Sequence, residues 1–517
     1  MDDRGRPEDP APALSRENLA GQNPSGQDPA RQAPPRQDLD AAGRGPVDNA
    51  AAALELVARA AGPFLAGLQD RPVHPPDRDR LLDELAGPLP EDGDGALVAV
   101  AELLRVGTAA ATATAGPRYF GYVVGGATPA AQAGDWVVSL LDQPTGLWPT
   151  SPLAAKAETV VLGWLKDLLG FPASHGGVLT PSATFANLTG LACARHWWAA
   201  RHGVDVAADG LAGLPRMPVL SSGYAHASCR KALQVLGCGR DGLRLVAEAD
   251  GSLDVDRLDR ELADSGPAVL IGTAGEVDAG RYDPLDELAD LAERHGAWLH
   301  VDGAFGLFAA ASPRTRGLVR GVERADSVAA DCHKWLNTPY ESGFALVRDR
   351  SALARAFGSW NAAYLPEPDD ERISYNTLGP ESSRRARALP LWAALRAYGR
   401  AGHRALVERH LGLARRLGEL VEAADDLELL SPVTLFVVCF RYRPAGMADP
   451  AGLDALNRSL GAALAEDGRV HAGTTSHRGV VALRPAIVNW RTRPEDVELL
   501  VAVVRELGAR VRSALEG

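Results

Sequence analysis

The segment 267–301 constrains the possible fold more than any other part of this sequence. Residues 267–272 form a short apolar run that is typical of a buried strand, and residues 297–301 form a second one. Between them, a helical pattern begins after Asp283 and ends at Gly296. This order predicts a βαβ unit, and strands that are apolar throughout predict a parallel sheet covered on both faces. The fold class is therefore predicted to be α/β, with a mostly parallel central sheet flanked by helices.

Changes in composition and periodicity predict four consecutive regions. Residues 1–46 are rich in Pro, Gln, Asp, Gly and Arg and poor in aromatic residues, so they cannot bury enough apolar surface to offset the entropy of ordering. We predict a disordered tail there, followed by an N-terminal helical segment over residues 47–125. Residues 126–400 carry the alternating strands and helices of a large domain, and residues 401–517 are predicted to form a small C-terminal α+β domain.

The remaining elements are predicted from the spacing of apolar residues. Further strands of the central sheet are predicted at 218–221, 327–331 and 343–347. Helices are predicted at 47–68, 79–85, 95–108, 188–199, 386–424 and 494–515, and strands of the C-terminal domain at 435–441 and 480–485. Helical segments thus flank the sheet-forming region on both sides along the chain.

The charge balance argues against some classes of function. The chain has 517 residues, with 54 Lys and Arg against 66 Asp and Glu, a net charge of −12 and a pI of about 5.5. Nothing in this balance suggests a nucleic-acid-binding protein or a basic membrane-surface protein. No apolar run is expected to reach the roughly 18 residues of a membrane span, and the acidic N-terminus shows no secretory signal.

The five cysteines are scattered and include no Cys-x-x-Cys pair. An odd number without such spacing fits a reduced, cytoplasmic protein better than a disulfide framework or a zinc site. Only Cys332, two positions before Lys334, is expected to lie near the chemistry, and we expect it to pack as a small buried hydrophobe.

Two residues that follow predicted strands carry the chemistry. Lys334 stands between His333 and Trp335 after one strand, and Asp302 ends another. Pyridoxal phosphate (PLP) requires such a pair, because the amine forms a Schiff base with its aldehyde and the carboxylate keeps a proton on its ring nitrogen. A carboxylate at the end of an apolar strand needs a cation nearby, and a protonated pyridine nitrogen provides one. A helix N-cap or an ion pair with a basic side chain would also explain Asp302.

Two further segments are candidates for binding the cofactor. His226 follows the predicted strand 218–221, where an imidazole can stack on the cofactor ring, although a lone histidine is more often a core residue. Small and hydroxyl-bearing residues from Thr180 to Asn187 precede a helix, where free N–H groups and the helix dipole favour a phosphate. An ordinary Ser or Thr N-cap would explain the same residues. No Gly-x-Gly-x-x-Gly segment opens a helix, which weakens a dinucleotide-binding interpretation.

Six short segments stand in an order and spacing that leave little room for coincidence. They are Pro117 to Tyr122, Leu147 to Pro152, Ser182 to Asn187, Tyr224 to Ser228, His300 to Ala304 and Asp331 to Trp335. Through these segments the chain resembles the PLP-dependent group II amino-acid decarboxylases, the family of the aromatic-L-amino-acid and glutamate decarboxylases, from about residue 47 to the C-terminus. The resemblance implies a fold-type I, transferase-like α/β fold with pyridoxal 5'-phosphate as the cofactor.

The resemblance also implies roles for the residues around the cofactor ring. Lys334 corresponds to the Schiff-base lysine and Asp302 to the partner of the ring nitrogen. His226 is expected to stack on one face of the ring, and the small Ala304 to pack against the other.

The phosphate end and the proton donor are implied in the same way. Ala183, Thr184 and His333 belong to the expected phosphate environment, and Asn187 matches a family position at the start of the following helix. The family uses a tyrosine on a mobile loop as proton donor after decarboxylation. Tyr375, in Ser-Tyr-Asn-Thr, is the predicted equivalent here.

Two departures from the family pattern bear on the site. Ser182 and Ala183 stand where members usually have two glycines, so side chains could crowd the phosphate. Glu276 lies in Gly-Glu-Val, where members commonly have Gly-Thr-Thr. Its carboxylate could repel the substrate carboxylate that is to be lost, or it could rotate away and pair with an arginine.

The resemblance implies a PLP-dependent carboxy-lyase that converts an L-amino acid to its amine and CO2 through an external aldimine and a quinonoid. Glu276 motivates an alternative in which the same scaffold acts as an aminotransferase, a carbon–carbon lyase or a decarboxylating aldehyde former. A silent binding homologue is a further alternative, against which the intact set of Lys334, Asp302 and His226 argues. Aromatic, acidic and diamino substrates stay open. Members are typically homodimers with shared active sites, and the apolar N-terminal helices suit such a partner.

Overall fold

The structure, a computed structural model, describes residues 46–91, 93–358 and 372–516. Nearly all of the predicted tail over residues 1–46 lies outside the described residues. The chain divides into two compact units: the first comprises the described residues up to 66 together with 77–111, and the second comprises residues 67–76 and those from 112 onward. The four-part division predicted from composition stays a prediction.

The first unit contains the three predicted helices, α1 (Pro46–Gly67), α2 (Arg78–Asp83) and α3 (Ala96–Ala110). The stretch Ala50–Gly67 is long and apolar enough, by length and composition, to cross a membrane. The expectation that no segment reaches this length is therefore wrong, because the many alanines of α1 keep its mean hydropathy high despite Glu55 and Arg59. One such helix is weak evidence of a membrane span.

The second unit is built on a seven-stranded sheet with the order β1-β7-β6-β5-β4-β2-β3. Its strands are β1 (Gly176–Thr180), β2 (Val219–Ser221), β3 (Leu243–Leu245), β4 (Val269–Thr273), β5 (Trp298–Asp302), β6 (Ser327–Asp331) and β7 (Gly343–Val347). The neighbouring pairs β3–β2, β2–β4, β4–β5 and β5–β6 are parallel, and β7 is antiparallel to both of its neighbours, β6 and β1. This mostly parallel sheet confirms the predicted α/β class.

Helices alternate with the strands along this part of the chain. They are α4 (Pro129–Leu141), α5 (Pro152–Leu169), α6 (Ala183–Arg201), α7 (Val206–Asp209), α8 (Ala227–Val235), α9 (Val255–Ser265), α10 (Leu285–His295) and α11 (Arg350–Phe357). Every residue of β4 to β7 is buried, as expected for strands covered on both faces. The predicted βαβ unit is β4–α10–β5, and Gly296 ends α10 in the left-handed conformation.

The C-terminal part adds a long helix and a second sheet. Its elements are α12 (Ala388–Glu422), β8 (Leu427–Leu429), β9 (Phe440–Tyr442), α13 (Pro450–Asp467), β10 (Thr474–His477), β11 (Val480–Leu483) and α14 (Pro494–Glu516). The strands form an antiparallel sheet in the order β10-β11-β9-β8, and α12 kinks at Gly399, where φ is 57°. The strand predicted at 435–441 is confirmed only at its end, because residues 435–439 are buried but make a single bridge, Val437 to Ala486, and no ladder.

The carboxyl ends of β2, β4, β5 and β6 meet at one edge of the large sheet, because these strands are parallel neighbours. We call this the carboxyl edge. β5 ends there at Asp302, and β6 leads into Lys334. β2 leads into the loop that carries His226, and β4 leads into Glu276. The topology therefore gathers residues from four strands at a single edge.

Candidate active site

Asp302 is a buried carboxylate whose two oxygens accept hydrogen bonds from neutral groups. Oδ1 accepts the backbone N–H of Ala304 at 3.1 Å, and Oδ2 accepts the side-chain amide of Asn187 at 2.9 Å. The residue is only 4% exposed, and within the described ranges no Lys, Arg or His side chain forms an ion pair with it. A buried carboxylate held by neutral donors keeps an uncompensated negative charge, which a cationic ligand would balance.

Asn187 lies on α6 with both ends of its amide engaged. Its Oδ1 lies 2.8 Å from Nε2 of His300, and its Nδ2 lies 3.0 Å from the Ser228 hydroxyl as well as 2.9 Å from Asp302. The sequence grouped Asn187 with the cofactor-binding residues. The structure brings it to the Asp302 carboxylate, and a direct contact with the cofactor stays a prediction.

The chain that follows Lys334 is anchored to the core by its own side chains. Trp335 is fully buried, and its indole N–H donates to Nδ1 of His410 at 3.1 Å. Asn337 donates to the carbonyls of Trp335 and Val488, both at 2.9 Å. These bonds fix the backbone on the C-terminal side of Lys334. The position of its amine therefore depends mainly on rotation about the bonds of the lysine side chain.

The Lys334 amine lies 3.0 Å from Oδ2 of Asp331 and 5.7 Å from the centre of the Phe305 ring. Trp335, the aromatic residue next to Lys334 in the sequence, turns into the core, and Phe305 is the aromatic residue near the amine. A lysine must lose its proton to attack an aldehyde. The contact with Asp331 is an ion pair that favours the protonated ammonium, so attack on an aldehyde requires this pair to separate.

Residues predicted to surround the cofactor phosphate converge on Asp331. The N–H of Ala183, the first residue of α6, donates to Oδ1, and Nε2 of His333 lies 3.6 Å from the same oxygen. Thr184 is next in this first turn and is half-buried. Ser182 precedes α6 without capping it through its side chain, so the N-cap alternative is not what the structure shows. The start of α6 binds a carboxylate, the kind of charge that a phosphate would also offer.

His226 responds electrostatically to several charged groups of the site. Its Nδ1 accepts the backbone N–H of Ser228 at 3.2 Å, so the proton of the neutral ring is on Nε2. Burial lowers the pKa of the imidazole most strongly, Asp302 raises it, and Lys334 and Arg484 lower it. The charges of all three residues thus act on this imidazole. Part of the ring is exposed, and its predicted stacking on the cofactor stays a prediction.

Glu276 turns back on its own loop. Oε2 accepts the N–H of Asp278 at 2.6 Å and Oε1 accepts the N–H of Ala279 at 2.7 Å, with Arg281 3.5 Å from Oε1. Of the two possibilities left open by the sequence, rotation toward an arginine is therefore the one observed. Because two backbone amides and a guanidinium satisfy this carboxylate, it has a structural explanation that does not involve the substrate.

Arg484 is a charged residue of the site that the sequence did not reveal. It follows β11, and its Nε donates to the carbonyl of Val277. Burial lowers the pKa of its guanidinium, and Asp278 and Glu276 raise it. Its charge acts on His226 from the C-terminal sheet, so its position depends on how two distant parts of the sequence pack. A guanidinium at this place can bind a carboxylate through paired N–H donors.

Tyr375, the predicted proton donor, is 2% exposed in a short 3₁₀ segment, Tyr375–Thr377. Its hydroxyl lies 3.0 Å from that of Thr159 on α5, and the guanidinium of Arg384 lies 5.6 Å from its ring centre. Burial is the main reason that the pKa of this phenol is raised. The structure packs Tyr375 in the core and does not show it beside Lys334. Its role as donor stays a prediction that requires the bond to Thr159 to break.

Two small residues complete the carboxyl edge. Ala304 donates its N–H to Asp302 and accepts the N–H of Asp331 at 2.9 Å, so it joins the ends of β5 and β6. Its methyl group is partly exposed, as its predicted place under the ring requires. Cys332 is fully buried and makes no disulfide, which confirms that it packs as a hydrophobe. The expectation that no other cysteine lies near the chemistry is wrong, because Sγ of Cys229 lies 3.5 Å from Oδ2 of Asp302.

PLP fits the residues that are present. Asp302 offers a buried negative charge for a protonated ring nitrogen, and Lys334 offers an amine. The first turn of α6 offers backbone N–H donors, of which that of Ala183 is bound by Asp331. The small side chain of Ala304 is partly exposed at this edge, as expected for a residue beside the ring. These features at the edge of a mostly parallel sheet define a PLP-dependent enzyme of fold type I.

Comparison with known proteins identifies the family within this class. Residues 80–443 match the model of the pyridoxal-dependent decarboxylase conserved domain, and the chain belongs to that family. An aromatic-L-amino-acid decarboxylase of Bacillus atrophaeus is 28% identical over 454 residues, which cover 86% of this chain and 92% of the relative. An L-2,4-diaminobutyrate decarboxylase of Rhizobium meliloti (strain 1021) is 34% identical over 438 residues, covering 82% of this chain and 84% of the relative.

A solved structure agrees with the sequence relatives. The crystal structure of Oryza sativa TDC with PLP and tryptamine has a TM-score of 0.83 and 28% sequence identity, and the match covers 90% of this chain and 99% of that one. The predicted fold-type I architecture, the family and the PLP cofactor are confirmed. The protein is a PLP-dependent carboxy-lyase that acts on an amino acid.

Proposed function

We propose that the protein removes the α-carboxylate of an L-amino acid at the carboxyl edge, beside Lys334, Asp302 and His226, and releases CO2 and the amine. When bound, PLP supplies the ring that accepts the electron pair of the broken carbon–carbon bond. Lys334 would hold the cofactor through Nζ, which leaves its ion pair with Asp331, 3.0 Å away, to do so. Asp302 holds a proton on the ring nitrogen through an oxygen that no basic side chain among the described residues neutralises.

Arg484 and His226 are proposed to orient the α-carboxylate of the substrate. The charge of Arg484 is close enough to His226 to lower the pKa of the imidazole. The neutral imidazole carries its proton on Nε2, because Nδ1 accepts from Ser228. A guanidinium and a ring N–H are both donors to a carboxylate, and together they can set the bond that breaks at a fixed angle to the cofactor ring. Glu276 does not compete for these donors, because its oxygens are bound within its own loop.

The burial of Asp302 among neutral hydrogen-bond donors is the single observation that carries the proposal. A carboxylate that is 4% exposed and bound only by neutral donors would cost free energy unless a cation completes it. A ring nitrogen that must stay protonated provides that cation. The alternative outcomes on the same scaffold were expected from a free carboxylate at Glu276, and the bonds of Glu276 leave them without support.

The products formed by the purified, PLP-supplied protein test this function. With a panel of aromatic, acidic and diamino L-amino acids, we expect equal amounts of CO2 and the corresponding amine from at least one compound. CO2, amine, ammonia and aldehyde are measured in the same reactions, with the D-enantiomers as controls. Ammonia or aldehyde formed in place of the amine would contradict the proposal, and so would turnover of every enantiomer at the same rate.

A cytoplasmic homodimer is the second part of the proposal. None of the apolar stretch Ala50–Gly67 is buried, and Leu54 within it is 56% exposed. A second copy of this chain would cover such a helix, and the five unpaired cysteines suit a reducing compartment. Light scattering at micromolar concentration is expected to give about twice the chain mass of 54.4 kDa. A mass of one chain, unchanged by added PLP, would contradict the dimer.

A further inference from the structure

Four consecutive hydrogen bonds connect the indole of Trp298 to the carboxylate of Asp302. The Trp298 Nε1 lies 3.0 Å from the Ser327 hydroxyl, which lies 2.8 Å from Nδ1 of His300. Nε2 of His300 lies 2.8 Å from Oδ1 of Asn187, whose Nδ2 lies 2.9 Å from Oδ2 of Asp302. We call these five side chains the Asp302 relay. It runs from Trp298 on β5 to Ser327 on β6 and back to His300 on β5. From there it continues to Asn187 on α6 and ends at Asp302, the last residue of β5.

The two ends of the relay fix the direction of every bond in it. An indole nitrogen can only donate, and an ionised carboxylate can only accept. Asn187 must therefore present its NH₂ to Asp302 and its oxygen to His300. His300 must then carry its proton on Nε2 and accept at Nδ1 from the Ser327 hydroxyl, whose oxygen accepts from Trp298. All four bonds point toward Asp302, and each donor is polarised by the one before it.

The surroundings of His300 hold it in the required form. Its side chain is fully buried, and burial lowers the pKa of the imidazole to about 4, so the ring is neutral at physiological pH. Gly190 of α6 leaves space for this ring, because a Cβ at that position would lie 2.7 Å from Nδ1. The close approach of α6 lets Asn187 reach His300 and Asp302 at once.

We infer that Asn187, His300 and Ser327 are positioning residues, which act through Asp302 to hold the protonated ring nitrogen of the cofactor. The inference rests on the proposed function and deepens it. With Oδ1 bound by the Ala304 N–H and Oδ2 by Asn187, the orientation of the carboxylate is fixed. Polarised donors stabilise its negative charge, and the remaining acceptor capacity faces the cofactor.

The test compares the affinity of two cofactors for the apoprotein. PLP and 1-deaza-PLP, in which carbon replaces the ring nitrogen, are titrated into the wild type and into Asn187→Leu, and binding is followed by quenching of tryptophan fluorescence. We expect Asn187→Leu to bind PLP about tenfold more weakly or worse, as for loss of a hydrogen bond to a charged group. With 1-deaza-PLP, the difference between wild type and variant is expected to fall below about twofold, because no ring cation remains for Asp302 to hold.

Three further variants keep the inference testable if Asn187→Leu does not fold. His300→Leu is expected to behave like Asn187→Leu, whereas His300→Gln retains an N–H for Asn187 and should regain most of the PLP affinity. Ser327→Ala is expected to give a smaller loss in the same direction, because it leaves the ring of His300 in place. Thr189→Ala is the matched control, since among the described residues this buried hydroxyl on α6 bonds only to the Phe185 carbonyl, at 2.8 Å.

The outcomes distinguish failure of the inference about the Asp302 relay from failure of the proposed function. If the variants lose the same factor in affinity for both cofactors, or only a lower thermal midpoint, these residues are structural and the inference fails. Failure of His300→Gln to restore affinity relative to His300→Leu would also overturn it. If the wild type binds neither cofactor, the proposed function fails, and the inference falls with it.

Discussion

Lys334→Ala is expected to lower the rate of CO2 release by about 10³-fold or more, because the amine that holds the cofactor is lost. The substitution also removes the cation that lies 3.0 Å from Asp331 at the start of α6. Covalent attachment provides a second measurement. Treatment with borohydride before digestion should leave PLP on the wild-type peptide that contains Lys334 and on no peptide of the variant, as seen by mass spectrometry.

Two controls show whether the effect belongs to this lysine. Lys231→Ala removes an exposed lysine of α8, and we expect unchanged turnover and labelling. Lys334→Arg keeps a positive charge near Asp331 but cannot form the covalent bond, so it should be as inactive as the alanine variant. Labelling of a different lysine in the wild type, or turnover that survives in Lys334→Ala, would remove Lys334 from its proposed role.

Local sequence patterns were sufficient to predict most of the strands of the large sheet, but they predicted those of the C-terminal sheet less well. β4, α10 and β5 were predictable because apolar runs, a helical repeat and the glycine at position 296 all agree. Residues 435–439 have the same apolar character as a strand, yet they form no ladder, since their backbone partners come mainly from irregular chain. The pattern of buried side chains alone could not distinguish these two cases, because it does not reveal where hydrogen-bond partners lie.

The candidate site was predictable where a residue ends a strand, and hidden where it depends on tertiary packing. Lys334 and Asp302 follow strands whose parallel order brings them to one edge. Asp331 also ends a strand, so the same reasoning could have found it. Arg484 reaches the site from a different sheet, and nothing in its local sequence predicts this.

The partners of a polar side chain were the least predictable feature. Glu276 had two possible orientations in the sequence, and the nearby amides of Asp278 and Ala279 decide between them. Asn187 was expected near the cofactor, but its amide spans the gap between His300 and Asp302. In both cases the alternatives differ by a side-chain rotation, which depends on the donors and acceptors within reach of the residue.

Asp302→Asn is expected to lower kcat by about 10²–10³-fold, the usual cost of removing one electrostatic partner of a reacting group. The substitution keeps the shape of the side chain but removes the charge that holds a proton on the cofactor ring. Its new NH₂ would also face either Asn187 or the Ala304 N–H, two groups that donate to Asp302 in the wild type. The dissociation constant of PLP and kcat at saturating PLP are the quantities to measure.

Asp326→Asn is the matched control, because Asp326 is a largely buried carboxylate at the opposite end of β6. Its oxygens accept the Leu299 N–H at 2.8 Å and pair with Arg348, so its loss should lower the thermal midpoint without changing kcat of the folded enzyme. Asp302→Asn should instead lower kcat strongly and change the thermal midpoint little, since the negative charge of Asp302 has no basic partner among the described residues to stabilise the fold. A kcat for Asp302→Asn close to that of the wild type would mean that this carboxylate does not hold the ring proton.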